Sequence, residues 1–181
     1  LIVVREALRE LNLSETNFNP RAVLATISKA KNELRGPEEY AAEAADFWSG
    51  VVKKVYPLYQ RKLAESMAVD FDDLIRLTIR LFQENPAVLA KYQERFKYIM
   101  IDEYQDTNHA QYVLVHLLAQ KYRNLCVVGD DDQSIYGFRN ADIRNILDFE
   151  RDYPEVKVVK LEQNYRSTQN ILKVANEVIK N

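Results

Sequence analysis

The sequence is poor in glycine and cysteine and has no long apolar run, and each shortage excludes a class of protein. Only four of the 181 residues are glycine and none is followed by lysine, so the Gly-Lys-Ser/Thr ending of a phosphate-binding loop is absent. A single cysteine, Cys126, excludes an intrachain disulfide framework and suits a reducing cytoplasm. No apolar run approaches the length of a membrane span and no targeting segment is visible, so we expect no membrane partner.

The overall charge is nearly balanced, which argues against a strongly basic nucleic-acid-binding surface. The formal net charge is −2 and the hydrophobic content is 47%, a composition typical of a globular protein. A chain of 181 residues can hold one domain, or one and a half. Because a basic footprint is the usual electrostatic sign of a nucleic-acid partner, any DNA contact must come from a local groove.

Basic side chains near the N-terminal end allow two interpretations. They are interleaved with glutamates, so a solvated helix face is favoured over contact with duplex DNA. These positions are Lys29, Lys31, Lys53, Lys54, Arg61 and Lys62. Phe47 and Trp48 are expected to pack between helices and not to stack on bases.

Helix signals dominate the chain up to residue 95. Asn19 followed by Pro20 predicts an N-cap with proline at the first helical position. Asp70, with Asp73 three residues later, is typical of a capping box. Pro57 is expected to kink a long helix. The predicted helices cover residues 1–11, 20–34, 37–66 and 71–82, and a further short helix starts at 85–86.

From residue 96 onward, apolar strand segments alternate with helical segments. The predicted strands are 97–101, 124–129 and 156–161, and the predicted helices are 108–121, 141–152 and 167–180. Such alternation implies right-handed crossovers and a parallel sheet. The predicted fold class is therefore α/β, with a helical subdomain over residues 1–69 followed by a parallel-sheet part over residues 70–181.

The most informative segment runs from Tyr98 to Asp106. Four residues with apolar character lead directly into Asp102 and Glu103, which indicates a buried strand of a parallel sheet. Ligands of open α/β sheets bind beyond the carboxyl ends of the strands, so the pair would lie beside a bound phosphate and its Mg²⁺. One carboxylate can help hold the cation and the other can activate water. A solvated acidic turn is the alternative.

Two later segments repeat the pattern of an apolar run that ends at polar residues. Leu125 to Val128 is followed by Gly129 and Asp130, and the chain continues as a polar stretch that ends Tyr-Gly-Phe-Arg at residues 136–139. A third apolar run, 156–161, leads into Glu-Gln-Asn-Tyr-Arg-Ser at residues 162–167.

These three segments resemble the motifs of one enzyme family. DEYQDTN at residues 102–108 resembles motif II of superfamily 1A DNA helicases, GDDDQSIYGFR at 129–139 resembles motif III, and LEQNYRS at 161–167 resembles motif IV. They occur in the order and at the spacing of the PcrA, UvrD and Rep group. The resemblance implies that residues 1–69 are helical domain 1B. It also implies that residues 70–181 are the C-terminal half of domain 1A, a RecA-like P-loop NTPase motor domain.

The resemblance assigns ATP and Mg²⁺ as cofactors and gives roles to four residues. Asp102 is expected to hold Mg²⁺ through water, and Glu103 to activate the water that attacks the γ-phosphate. Gln133 is expected to sense the γ-phosphate, and a loop-capping role is the alternative. Arg166 is expected to contact the γ-phosphate like an arginine finger in cis, because a planar guanidinium matches phosphate oxygens. A surface salt bridge is the alternative for Arg166.

The aromatic residues of motif III are candidates for DNA contact. Tyr136 and Phe138 flank Gly137, and stacking on bases tolerates any sequence. Core packing is the alternative and is stronger for Tyr136. Arg139 is expected to bind a DNA phosphate or a carboxylate of motif II. The family commonly has glycine where this chain has Asn140, which tolerates a left-handed backbone.

These residues are compatible with three function classes. The favoured one is part of an ATP-driven helicase that translocates on single-stranded DNA, 3′ to 5′ by resemblance, in the bacterial cytoplasm. A binding or regulatory module without turnover, and a two-carboxylate metal nuclease that uses Asp130 to Asp132, are the alternatives. A degenerate module would be free to lose Glu103, Gln133 and Arg166. The chain lacks a phosphate loop, so we expect an internal fragment that is inactive alone and requires the remaining segments of the same helicase.

Overall fold

The computed structural model describes residues 1–137 and 140–179, and within them it is mostly helical with a small parallel sheet. The helices are α1 (Ile2–Glu10), α2 (Pro20–Asn32), α3 (Pro37–Glu43), α4 (Phe47–Glu65), α5 (Phe71–Glu84), α6 (Pro86–Arg95), α7 (His109–Ala119), α8 (Arg144–Leu147), α9 (Phe149–Asp152) and α10 (Gln169–Ile179). The strands are β1 (Ile99–Ile101) and β2 (Leu125–Val127). No helix in the described ranges is long and apolar enough to cross a membrane.

Two of the predicted helix starts are confirmed by side-chain caps. The Asn19 side chain accepts a hydrogen bond from the Arg21 backbone N–H at 2.9 Å, with Pro20 at the first helical position of α2. Asp70 Oδ1 accepts from the Asp73 N–H at 2.8 Å at the start of α5. Each cap satisfies a backbone donor that the first helical turn leaves unpaired.

The prediction of one long helix over residues 37–66 is wrong, because a second cap lies inside it. α3 ends at Glu43 and α4 begins at Phe47. Asp46 Oδ1 accepts from the Ser49 N–H at 2.8 Å, while Ser49 Oγ accepts from the Asp46 N–H at 3.0 Å. This reciprocal capping box starts a new helix after a break of three residues. Pro57 lies inside α4, as predicted.

A helical core lies among α1, α2, α3 and α4. Its buried residues are Val4, Ala7, Leu8, Val23, Ile27, Ala30, Tyr40, Val51, Val52, Val55, Tyr56, Leu58, Tyr59 and Leu63. Trp48 packs against this core, and its indole N–H donates to Thr26 Oγ1 at 3.1 Å, so its predicted packing role is confirmed. Phe47 is 79% exposed, so its predicted packing between helices is wrong.

One basic residue assigned to the solvated face is instead buried. Lys31 is 1% exposed, and its Nζ lies between the carboxylates of Asp70 and Asp73. Asp73 therefore pairs with Lys31 and does not complete the predicted capping box. Burial raises the pKa of Asp70, but hydrogen bonds from Lys31 and from the Asp73 backbone outweigh it, so the pKa lies below its usual value.

The described sheet has two parallel strands, as the predicted alternation requires. Ile99 pairs with Leu125, and Ile101 pairs with Val127. One face packs against Tyr104 and Phe149. The other face is uncovered, since Met100 is 73% exposed and Cys126 is also exposed. The prediction of strands buried on both faces is therefore wrong for these residues.

The predicted third strand and one predicted helix are also corrected. Residues 156–161 form neither a helix nor a paired strand, and Val159 and Leu161 are 67% and 85% exposed. A strand is stable only when it pairs with a neighbour, and none of the strands in the described ranges pairs with this segment. The predicted helix 141–152 is two short helices, α8 and α9, with Asp148 between them.

Candidate functional site

The candidate site lies where the two strands end. Parallel pairing continues beyond the strands, because the Val128 N–H donates to the Ile101 carbonyl at 2.8 Å and the Tyr104 N–H donates to the Val128 carbonyl at 2.9 Å. The residues that follow β1 and β2 therefore leave the sheet at the same edge. This brings Asp102 and Glu103 beside Gly129 and Asp130, as expected for adjacent parallel strands.

Asp102 and Glu103 are both exposed at this edge. The Glu103 N–H donates to Asp102 Oδ1 at 2.9 Å. Glu103 adopts a left-handed backbone with φ of 50° and ψ of 44°, a conformation that costs roughly 1–2 kcal/mol for a residue with a Cβ. This backbone turns the chain sharply into the 3₁₀ turn of residues 104–106. The two adjacent carboxylates are thus held on a tight corner, which the sequence pattern did not predict.

Gln105 joins the ends of the two strands, and sequence reasoning missed it. Its side chain is buried, with 1% exposure. Its Nε2 donates to Glu103 Oε2 at 2.8 Å, and its Oε1 accepts from the Asp130 N–H at 3.0 Å. No pattern in the sequence separates Gln105 from an ordinary polar residue of a turn, because both contacts depend on the pairing of β1 with β2.

Gly129 is required by this close approach. A Cβ atom placed on Gly129 would lie 2.7 Å from Gln105 Oε1, 2.7 Å from Ile146 Cδ1 and 3.3 Å from the Tyr104 backbone N. The first two contacts are shorter than van der Waals distance, so any larger residue would displace Gln105 or α8. A side chain at this position would therefore force the neighbours on both sides of the strand end to shift.

Gln133 is tied to the same strand end through Asp130. Asp130 Oδ1 accepts from the Asp132 N–H at 3.1 Å, and Gln133 Nε2 donates to Asp130 Oδ2 at 2.6 Å. These contacts close a 3₁₀ turn over residues 131–133. In this arrangement Gln133 caps its loop. Its side chain is exposed, so it can also turn towards a ligand at the sheet edge.

The remainder of motif III is described only in part. Tyr136 is half-buried, whereas Phe138 and Arg139 lie outside the described residues. Asn140 has a φ of 66°, so the prediction that asparagine accepts a left-handed backbone here is confirmed. The Asn140 N–H donates to the Gly137 carbonyl at 3.0 Å and closes the turn.

Arg166 is not brought to the carboxylates. Asn164 Oδ1 accepts from the backbone N–H groups of Arg166 and Ser167 at 2.9 and 2.8 Å, which forms a local turn. The Arg166 side chain is exposed. Within the described ranges no hydrogen bond or ion pair joins it to Asp102 or Glu103, and it forms no surface salt bridge either.

Motif II is also connected to the helical part of the chain. Asn108 caps α7 in a reciprocal capping box with Gln111, and Asn108 Nδ2 donates to Asn32 Oδ1 of α2 at 2.7 Å. Asn145 Nδ2 donates to the Thr107 carbonyl at 3.0 Å. The Asn-x-x-Gln spacing was a signal for the cap. The contact with Asn32, 76 residues away, had no signal in the sequence.

The chemistry available at this edge is that of oxygen ligands and a base. Five carboxylates lie on two strand ends and the turn that follows, so the local potential favours a cation. They are Asp102, Glu103, Asp130, Asp131 and Asp132. Asp102 Oδ1 is used by the Glu103 N–H, and none of the described residues hydrogen-bonds to Oδ2. Hard oxygen donors of this kind suit Mg²⁺, which uses few protein carboxylates and keeps several waters.

Comparison with known proteins identifies the family of the chain. A family model described as the UvrD/REP helicase N-terminal domain matches residues 2–154. The chain is 58% identical over 181 residues, all of its length, to the ATP-dependent DNA helicase PcrA of Bacillus subtilis. It is 58% identical over 98% of its length to PcrA of Staphylococcus epidermidis, and 57% identical over 99% of its length to PcrA of Staphylococcus aureus. It spans 24% of the length of each relative. The chain therefore belongs to the UvrD/REP helicase N-terminal domain family.

Proposed function

We propose that this chain forms part of the ATP-driven motor of a DNA helicase, which moves 3′ to 5′ on single-stranded DNA and unwinds duplex DNA. Family membership supports this proposal, as does the name ATP-dependent DNA helicase carried by relatives that are 57–58% identical. The chain spans 24% of those relatives and contains no glycine followed by lysine. We therefore assign the phosphate loop and the second motor domain to a longer polypeptide, here named the full-length helicase.

One observation carries the proposal. The adjacent carboxylates of Asp102 and Glu103 lie at the same sheet edge as the turn that holds Gln133, and Gln105 links the two strand ends. Phosphoryl transfer requires mostly positioning and charge neutralisation, for which a few oriented polar groups suffice. A plain acidic turn would not require a buried amide to hold one of its carboxylates.

The two carboxylates are assigned different roles because their surroundings differ. Asp102 has an oxygen that no described residue occupies, and it would hold Mg²⁺ directly or through water. The cation neutralises charge on the transferred phosphoryl group. Within the described ranges no group of three or more histidine, cysteine or acidic side chains could hold a metal ion. The other ligands of a Mg²⁺ ion held by Asp102 would thus be phosphate oxygens and water.

Glu103 is assigned as the base that accepts a proton from the attacking water. Gln105 holds one of its oxygens at 2.8 Å, which leaves the other free to face the water. Gln133 would sense the γ-phosphate by leaving Asp130. Arg166 would reach the γ-phosphate after a movement of its exposed segment, since it does not contact the carboxylates here. These assignments distribute binding, proton transfer and charge neutralisation over three motifs.

The DNA-contacting part of the proposal concerns the loop after Gln133. Tyr136, Phe138 and Arg139 are assigned to single-stranded DNA, with stacking from the rings and a phosphate contact from the guanidinium. Residues 1–69 are assigned to a helical subdomain and residues 70–181 to the C-terminal half of a RecA-like motor domain. A cytoplasmic location in a bacterium is part of the same proposal.

The decisive experiment measures ATP hydrolysis by the full-length helicase with and without single-stranded DNA. We expect hydrolysis that requires Mg²⁺ and rises when DNA is added. Strand separation is then followed on duplexes with either a 3′ or a 5′ single-stranded tail. Absence of hydrolysis under both conditions, with DNA binding intact, would instead support a binding or regulatory module. DNA cleavage without ATP would support a metal nuclease.

A further inference from the structure

Gln105 is a buried amide between two functional segments. The orientation of its side chain follows from its partners. The Asp130 backbone N–H can only donate, so the Gln105 carbonyl oxygen must face it. The Gln105 NH₂ group then faces the Glu103 carboxylate, which can only accept when ionised. Each end of the amide is thus matched to one strand end.

The backbone around Gln105 holds this amide in place. Tyr104, the preceding residue, is fully buried, and its ring packs edge-on against Phe149 with centroids 5.6 Å apart. The Tyr104 N–H bonds to the Val128 carbonyl of the neighbouring strand end. Gly129 provides the space that Gln105 Oε1 occupies, since a Cβ there would lie 2.7 Å from that oxygen. Gln105 therefore cannot swing away without disturbing the strand end.

The contacts of Gln105 continue towards Gln133. Asp130 receives the Gln105 contact on its backbone, and its carboxylate accepts from Gln133 Nε2 at 2.6 Å. A series of hydrogen bonds thus runs from Glu103 through Gln105 and Asp130 to Gln133. A ligand that draws Gln133 away from Asp130 would loosen the turn over residues 131–133. The Asp130 N–H, at the start of that turn, would move with it.

We propose that Gln105 is a positioning residue that sets the Glu103 carboxylate according to the state of the motif III turn. This inference rests on the proposed function of Glu103 as the base in ATP hydrolysis. Gln105 is 1% exposed, so its side chain is closed to ATP and DNA in this arrangement. It transmits displacement of Asp130 to Glu103, so that the base is aligned only when the turn has its productive shape. Charge-assisted hydrogen bonds of this kind are directional and stronger than neutral ones.

The test is Gln105→Glu in the full-length helicase. The substitution keeps the volume and the oxygen that accepts from the Asp130 N–H. It replaces the donating NH₂ by an oxygen next to the Glu103 carboxylate, so repulsion misplaces the base. We expect kcat for DNA-stimulated ATP hydrolysis to fall about 10- to 100-fold. The KM for ATP and the affinity for single-stranded DNA should stay within about twofold, because the Gln105 side chain is buried behind the sheet edge.

Gln93→Glu is the matched control. Gln93 is also buried, with 8% exposure, and its Nε2 donates to the Leu117 carbonyl at 2.7 Å, away from the sheet edge. Gln93→Glu also replaces a buried NH₂ donor by an oxygen. This variant should lose thermal stability, but its kcat should be unchanged. If Gln105→Glu does not fold, Gln105→Met replaces it. Methionine has a similar volume and no charge, and it should produce the same selective fall in kcat.

A double-mutant cycle with Glu103→Gln identifies the route of the effect. If Gln105 acts through Glu103, Gln105→Glu causes no further loss of the residual kcat, measured at high enzyme concentration, in the Glu103→Gln background. Equal losses in both backgrounds, or equal falls in kcat for the Gln93 and Gln105 variants, would overturn the proposal. Lack of ATP hydrolysis by the unsubstituted helicase would instead contradict the proposed function, so the two failures are distinguishable.

Discussion

Lys31 Nζ lies 2.8 Å from Asp73 Oδ2, and the two side chains are 0% and 1% exposed. Asp70 lies on the other side of the same amine, and Tyr59 donates to Asp70 Oδ2 at 2.8 Å. Gln60 donates to Asp73 at 3.2 Å. The group links α2, α4 and α5 through an ion pair and hydrogen bonds, in addition to the apolar packing of α2 against α4. A buried charge remains charged only with such partners, so its removal affects every element that it joins.

Lys31→Met is therefore expected to destabilise the chain strongly. The substitution keeps an unbranched apolar stem but removes the amine from the buried Asp73 and the partly buried Asp70. Arg76, 3.7 Å from Asp73, is the cation that remains, so the loss of unfolding free energy is up to about 3–5 kcal/mol. Urea unfolding of both proteins measures the difference. Lys29→Met is the control. Lys29 is exposed and forms a long ion pair with Glu33, with Nζ and Oε1 4.0 Å apart, so this substitution should change stability little. Equal effects of the two substitutions would contradict the role of the buried pair.

We expect the fold to lose stability below neutral pH, because His116 is half-buried and becomes protonated there less easily than in the unfolded chain. Burial lowers the pKa of His116, despite the Tyr112 carbonyl and Asp152, which act in the opposite direction, and the nearby Arg123 lowers it further. Its Nε2 is buried without a partner among the described residues. Because the folded pKa lies below the usual value near 6.5, the unfolded chain binds the proton more readily. The stability that neutral His116 contributes to the fold is fully present above about pH 6.5 and is lost as the pH falls through the pKa of the folded state.

The measurement is thermal unfolding of the wild-type chain and of His116→Gln between pH 7.5 and pH 5, with His109→Gln as the control. Glutamine removes the titrating group, so the fall in melting temperature across this range should be smaller than in the wild type. His109→Gln makes the same substitution at an exposed position and controls for the exchange of histidine for glutamine. An identical pH dependence in all three proteins would assign the effect to carboxylates elsewhere.

Glu103→Gln in the full-length helicase is expected to abolish turnover while ATP binding remains nearly unchanged. Glutamine keeps the shape but cannot accept the proton, which costs on the order of 10²-fold or more in rate. Asp102→Asn should instead weaken the dependence on Mg²⁺. Steady-state hydrolysis and equilibrium ATP binding test both variants, with the exposed Glu150→Gln as control. Hydrolysis by Glu103→Gln near the wild-type rate would show that another group is the base.

Phe138→Ala and Arg166→Ala are expected to separate DNA coupling from hydrolysis. Loss of one base stack should weaken single-strand binding by about 1–3 kcal/mol, and DNA-stimulated hydrolysis should fall more than basal hydrolysis. Arg166→Ala should depress hydrolysis with or without DNA. Phe71→Ala is the control, because Phe71 is 89% exposed and distant in sequence from motif III. Equal falls of basal and stimulated rates in Phe138→Ala would make Phe138 a packing residue.

The 181-residue chain alone is expected to hydrolyse no ATP and to bind it weakly or not at all. The chain offers carboxylates at the sheet edge, but it has no glycine followed by lysine to cradle phosphates. Isothermal titration of the purified chain with ATP and Mg²⁺ tests this. Tight nucleotide binding would contradict the proposed division between this chain and the remainder of the full-length helicase.

Local signals in the sequence determined most of the elements and the chemistry of the candidate residues. Asn19 and Asp70 start helices where their caps predict, and β1 and β2 lie within the predicted strands 97–101 and 124–129. Asn140 adopts the left-handed backbone that its residue type allows. These features depend on contacts between residues that are near in sequence, so the order of residue types is sufficient to specify them.

Tertiary structure alone decided the features that join distant segments. Lys31 is buried because Asp70 and Asp73 meet it from another helix, although its own surroundings in the sequence favour a solvated face. Residues 156–161 have strand composition but no paired neighbour in the described ranges, and pairing cannot be read from one segment. The contact from Gln105 to the Asp130 backbone spans 25 residues. Such contacts depend on how the elements pack, and residue type and spacing do not encode that geometry locally.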